Sequence, residues 1–289
     1  PMNMEMLLNA VDMAENEGWK GVVIGNDAAN FCAGANLGLA LFAANLAAWK
    51  DLDDFIGLGQ DTYQTLKFSE VPIVAASAGL CLGGGAEVLM HCDAIQAHSE
   101  SYVGLVEVGV GIIPAWGGCK EYLGRVKEFG LVSNGPMGAV MKAFEVIGTA
   151  QVAKSADQAQ TMGFLGPNDR ITMNRDRLLS DAKKTLIELS KDYSPPEPRT
   201  YSLPGPSGKA ALELAVNDLA LSGKVTPHDI VVTNALAEIL TGGDTDITDI
   251  LEEDDILAME KIAITMLAKN TDTLDRMQHM LETGKPLRN

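Results

Sequence analysis

The spacing of apolar positions changes period several times along the chain, and each change predicts an element. Met4, Leu7, Leu8, Val11 and Ala14 recur at helical spacing on one face, and Gly18 supplies a stop. Gly21-Val22-Val23-Ile24-Gly25 is then a continuous β-branched run, which predicts a short strand buried on both faces. Two helical stretches, roughly 37–49 and 52–68, lead to Val71-Pro72-Ile73-Val74-Ala75-Ala76, a second buried strand expected to end in Gly79. A helix is expected to open at Gly83-Gly84-Gly85, and Asp93-Ala94-Ile95-Gln96-Ala97 reads as a third strand. Strands and helices alternating in this way point to an α/β layer architecture.

Beyond about residue 145 the pattern turns to helices and loops. Pro195, Pro196, Pro198, Pro204 and Pro206 crowd together with Gly205 and Gly208, which predicts a linker or extended strap over 194–208. The expected organisation is therefore a core at 1–193, that strap, and a helical region at 209–289. Asp244, Asp246, Asp249 and Glu252 to Asp255 form an acidic patch that reads as a solvated loop or helix start. It fails the calcium-loop pattern, because Asp249 stands where that loop needs glycine. Met4, Met6 and Met13 read as core or staple residues of the first helix.

Composition narrows the function. With 46% hydrophobic and 21% charged residues the chain has an ordinary globular balance. A net charge of −17 disfavours nucleic acid and anionic membrane surfaces as main partners. No apolar run reaches the ~18–20 residues that span a bilayer. Cys32, Cys81, Cys92 and Cys119 lack C-x-x-C spacing and read as reduced thiols of a cytoplasmic protein. The four histidines lack metal-ligand spacing, so no metal is expected. The chain has no G-x-S-x-G elbow, phosphate loop, H-E-x-x-H or dinucleotide fingerprint.

Three segments carry candidate chemistry: Phe31-Cys32-Ala33-Gly34-Ala35-Asn36, Ala78 to Glu87, and Tyr102 to Pro114 followed by Ala115-Trp116-Gly117-Gly118. Glycines at a strand-to-helix turn leave a helix N-terminus bare, where N–H groups and the helix dipole receive negative charge. Glu87 lies one turn inside that helix. Glu107 lies in an otherwise apolar run with no cation nearby in sequence, so its pKa is expected to be raised.

These segments resemble the signature blocks of the enoyl-CoA hydratase/isomerase (crotonase) superfamily, in the family's order and spacing over roughly residues 1–190. The resemblance implies a crotonase-type spiral of ββα turns with a helical C-terminal region. It implies an oxyanion hole from the backbone N–H groups of Ala35 and Gly84, with Glu87 and Glu107 as the two catalytic glutamates. Ala33, Gly34, Asn36, Gly83, Pro114 and Trp116 match substrate-binding positions. Asn36 stands where the family commonly has Asp, Ala115-Trp116 replaces a small pair, and Cys119 replaces a threonine. The implied reaction is reversible hydration of a trans-2-enoyl-CoA in fatty-acid β-oxidation. The rivals are a double-bond isomerase on the same scaffold and a silent assembly domain. The final stretch, Gly284 to Asn289, resembles a subgroup in which the hydratase follows a 3-hydroxyacyl-CoA dehydrogenase. The family's opening strands are missing before the first helix, so Pro1-Met2-Asn3 reads as a truncated edge. The expected partners are an acyl-CoA thioester, an upstream dehydrogenase domain and further copies of the chain. No cofactor is expected in this chain, and NAD would belong to the upstream domain.

Overall fold

The computed structural model describes residues 2–289; Pro1, the first residue of the expected truncated edge, lies outside them. The chain opens with α1 (Met2–Asn16), β1 (Val22–Gly25), α2 (Leu37–Asn45), α3 (Trp49–Lys67), β2 (Ile73–Leu82), α4 (Gly84–Met90) and β3 (Ala94–Gly104). After a 3-10 turn at Glu107–Val110 come α5 (Gly118–Glu128), α6 (Pro136–Gly148), β4 (Val152–Ala153), α7 (Ala156–Met162) and β5 (Arg170–Thr172). Then follow α8 (Leu178–Leu189), β6 (Thr200–Tyr201), α9 (Gly205–Leu221), α10 (Pro227–Thr241), β7 (Leu251–Glu252), α11 (Glu253–Ala268) and α12 (Thr271–Thr283). The chain divides into two compact units, each discontinuous in sequence.

The first unit takes residues up to 35, 57–104 and 152–197. Its sheet runs β1-β2-β3-β4, parallel through β3, with β4 antiparallel and β5 parallel to β3. Ile73, Val74 and Ala75 are wholly buried at its centre. Leu178, Ala182 and Leu186 fall four residues apart on one stripe of α8 and pack on Val74, Ala76 and Ala94. The Asp93 carboxylate accepts the Ile73 N–H at 2.7 Å and the Tyr193 hydroxyl at 3.0 Å, which ties the loop before β3 to the start of β2.

Three expectations change here. β1 is half-buried rather than buried on both faces, because it ends the sheet order and pairs only with β2. β2 does not end at Gly79: it continues to Leu82 through a register shift between Ser77 and Gly79, where Gly79 takes φ +63°. A Cβ there would lie 2.3 Å from the Ala29 carbonyl, so this glycine admits a neighbouring backbone instead of a chain reversal. Of the three methionines read as core, Met4 is buried, whereas Met6 and Met13 are exposed on the opposite face of α1.

The second unit takes residues 36–56, 105–151 and 198–289 and is mainly helical. Its α5 is anchored by buried charge. The Glu260 carboxylate accepts the N–H groups of Gly117 (2.8 Å) and Lys120 (3.0 Å), satisfying donors that a helix start leaves without partners. The Lys120 ammonium, wholly buried, bonds Glu121 (2.6 Å) and Glu253 (2.7 Å). Burial opposes its charge, and the two carboxylates outweigh burial and raise its pKa. Arg199 pairs with Glu121 and Glu128, and its N–H reaches Glu253 at 2.9 Å. Glu253, read as part of a solvated acidic patch, is therefore buried: it opens α11 and meets Lys120. The proline-rich stretch holds β6, which pairs with β7, and α9 already begins at Gly205. Among the described residues no helix is long and apolar enough to cross a membrane.

Candidate active site

In the first unit the two glycine-rich turns are held side by side. Phe31 N–H bonds the Ala78 carbonyl (2.8 Å), Cys32 N–H bonds Leu80 (3.0 Å), and Leu82 N–H returns to Cys32 (2.9 Å). Cys32 thus forms a parallel bridge with Cys81, and Asn30 Oδ1 accepts the Leu80 N–H at 3.0 Å. Gly34 follows at φ +100°, and a Cβ there would lie 3.3 Å from the Leu82 carbonyl and 3.9 Å from Gly84 N. The backbone just before Ala35 therefore lies against the backbone of Gly84.

The three glycines of the second turn have different duties. Gly83 has φ +55° and ψ −127°, and its N–H bonds Gly104 at the end of β3 (2.9 Å). Gly85 lets the helix press on Cys32, whose carbonyl would stand 2.6 Å from a Cβ. Gly84 opens α4, so its N–H has no partner within its own helix and is a candidate donor. Glu87 is 2% exposed in the same helix. Its carbonyl accepts from His91 Nδ1 at 2.7 Å, so that nitrogen carries the hydrogen. The Tyr63 hydroxyl donates to the Gly84 carbonyl (3.1 Å), and its ring lies 5.5 Å from that of His91. Tyr63 holds the turn and His91 caps the end of α4 through Glu87, and the sequence reading missed both. The i, i+4 spacing of Glu87 and His91 was a signal for one; Tyr63, 21 residues upstream of Gly84, left none.

Of the sequence-derived candidates, Ala33, Gly34, Ala35, Gly83, Gly84 and Glu87 lie in the first unit, whereas Asn36, Glu107, Pro114 and Trp116 lie in the second. Asn36 is the N-cap of α2: its side chain accepts the Leu39 N–H at 3.2 Å. Glu107 is half-buried and opens the 3-10 turn. Its carbonyl accepts the Ile112 N–H at 3.2 Å, and Gly111 closes the turn in the left-handed region at φ +81°. Pro114 is buried, and the Trp116 ring meets Phe55 edge-on at 5.4 Å. The Phe55 contact limits how far Trp116 can swing.

The sequence profile of the Enoyl-CoA hydratase/isomerase family matches residues 2–128. The chain is 39% identical to a Bacillus subtilis protein named "Probable 3-hydroxyacyl-CoA dehydrogenase", over 99% of this chain and 36% of that protein. It is 32% identical to the crotonyl-CoA hydratase of Syntrophomonas wolfei, over 56% of this chain and 55% of that enzyme. The enoyl-CoA hydratase structure from Bacillus halodurans superposes with a TM-score of 0.63 at 18% identity, covering 95% of this chain and 88% of that one. The fold is thus the α/β crotonase fold with a helical C-terminal region, and residues 2–128 carry the sequence pattern of the enoyl-CoA hydratase/isomerase superfamily. The chain spans about a third of the length of the Bacillus subtilis relative.

Proposed function

We propose that this chain catalyses reversible hydration of a trans-2-enoyl-CoA to a 3-hydroxyacyl-CoA. The observation that carries the reading is the approach of the Gly34 turn to Gly84, one helical turn from the buried Glu87. In the proposed step a water oxygen bonds C3, and the π electrons move through C2 to the thioester oxygen. The N–H groups of Ala35 and Gly84 receive that charge as donors already in place. Glu87 and Glu107 share the proton work, one taking a proton from the water and the other delivering one to C2. Ala33, Gly34, Asn36 and Gly83 frame the thioester, while Pro114 and Trp116 border the acyl chain. No metal or redox group enters the step. The product is a secondary alcohol that an NAD-dependent dehydrogenase would oxidise, so an upstream dehydrogenase domain in the same polypeptide, as the Bacillus relative's name suggests, would take it next. The reduced thiols suit a cytoplasmic enzyme.

The test is loss of enoyl-thioester absorbance with crotonyl-CoA, using the whole polypeptide. Wild type hydrates, and Glu87→Gln and Glu107→Gln each lose about 10²–10⁴ in rate, the range of a positioned acid or base. The double variant loses far less than the product of the two, because both act on one water. Near-normal hydration in either single variant would favour the one-carboxylate isomerase, and a wild type inert toward both crotonyl-CoA and a 3-enoyl-CoA would favour an assembly domain.

A further inference from the structure

The 3-10 turn that carries Glu107 has little regular structure of its own, only four residues closed by Gly111. What holds it comes from α10 and α12 in the same unit. The Thr273 hydroxyl donates to the Gly111 carbonyl at 2.9 Å. It has one hydrogen, so its 2.9 Å contact with His228 Nε2 requires the imidazole to be the donor there. Burial first, and the Arg276 charge second, hold His228 below its usual pKa, consistent with a neutral ring bearing its hydrogen on Nε2. The fit is close: a Cβ on Gly111 would lie 3.1 Å from His228 Nε2 and from the Thr273 Cα.

One turn along α12, Arg276 is 2% exposed and reaches the Val108 carbonyl with Nη1 at 3.4 Å. Its other nitrogens are fixed from behind by Asp229 Oδ1 (2.8 Å), Thr226 Oγ1 (3.1 Å) and Asn289 Oδ1 (2.7 Å). Two carbonyls of the turn are thus gripped by two side chains three residues apart on one helix face. Neither side chain is explained by packing alone: a hydroxyl and a guanidinium are costly to bury unless their hydrogen bonds are needed.

We propose that Thr273 and Arg276 are positioning residues that aim the Glu107 carboxylate, with His228 and Asn289 holding them in register. The proposal rests on Glu107 being a catalytic acid or base. It assigns to α12 a share in the rate of the reaction that is separable from substrate binding. Hydration is measured for Thr273→Val, which keeps shape and removes the hydrogen bond, and for Thr273→Ser, which keeps the hydroxyl. Thr273→Val lowers kcat about tenfold with KM within about twofold, and Thr273→Ser restores it, as expected for the loss of one aligned buried hydrogen bond. In a Glu107→Gln background the same substitution costs nothing further, because the group being aimed is gone. Wild-type kcat in Thr273→Val, or an equal proportional loss with and without Glu107, overturns the proposal. Should Thr273→Val fold poorly, Asn289→Ala perturbs Arg276 from its far side. It should lower kcat severalfold at unchanged KM, and wild-type kcat there overturns the proposal equally. Glu107→Gln measured alone separates the two failures: if it retains full hydration, Glu107 is no catalytic acid or base and the two-carboxylate reading falls, whereas if it is impaired, a failed Thr273 test counts against the positioning role alone.

Discussion

The first unit holds its candidate donors with backbone; the second holds its candidate acid with side chains. Around Gly34 and Gly84 the fixing contacts are sheet hydrogen bonds and glycine close approaches, and few charges are involved. Around Glu107 and α5 they are Thr273, Arg276, Lys120 and Glu260, buried polar groups that must all be partnered. Backbone pairing tolerates sequence change wherever no Cβ intrudes. A buried polar network fails as a unit when one partner is removed. The difference suits the duties proposed: an oxyanion needs N–H groups, which every residue supplies, whereas a proton carrier needs one particular side chain aimed correctly.

The sharpest way to break this contrast is Lys120→Met, which leaves Glu121 and Glu253 buried without their shared cation. We expect a loss of about 3–5 kcal/mol in denaturant unfolding. A loss under about 1.5 kcal/mol, as for a volume-conserving core swap, would show that charge does not hold the second unit. Next is Gly84→Pro, which removes the proposed donor at a helix position that accepts proline. Turnover should fall on the order of 10²–10³ while circular dichroism is kept. Full activity in the folded variant would remove Gly84 from the oxyanion site.

A smaller effect tests Asp93, a half-buried carboxyl of the first unit. Burial pushes Asp93 up to about 6 from 3.8, against the hydrogen bonds from Ile73 and Tyr193. The raised folded-state value means that stability from this group is present below pH 3.8 and is lost as pH rises through about 6. Asp93→Asn should flatten the melting-temperature profile across that window by roughly 2–3 kcal/mol of pH-dependent stability; an unchanged profile would mean another group sets it. The smallest effect is expected from Tyr63→Phe, which deletes the donor to the Gly84 carbonyl. The hydrogen bond is worth about 1 kcal/mol, so kcat should drop severalfold with KM unchanged; a change in KM alone would place Tyr63 in substrate binding.

The sequence by itself determined the α/β character and the places where backbone is bared. Periodicity is a local property, so α2, α3 and the start of β2 emerge close to where the apolar pattern puts them. Glycine runs are also local, and Gly34 and Gly83-Gly84-Gly85 mark the turns that the structure brings side by side. Tertiary structure alone decided the rest. Gly79 reads as a strand end, yet it sits within β2 because Ala29 and Asn30 pass over it. Glu253 reads as a solvated acid, yet it is buried because Lys120, 133 residues away, meets it. Thr273 and Arg276 look like ordinary helix residues, and their role exists only through the carbonyls of Gly111 and Val108. A backbone carbonyl has no signature in the sequence, so a side chain that serves one from 162 residues away cannot be recognised until the chain has folded.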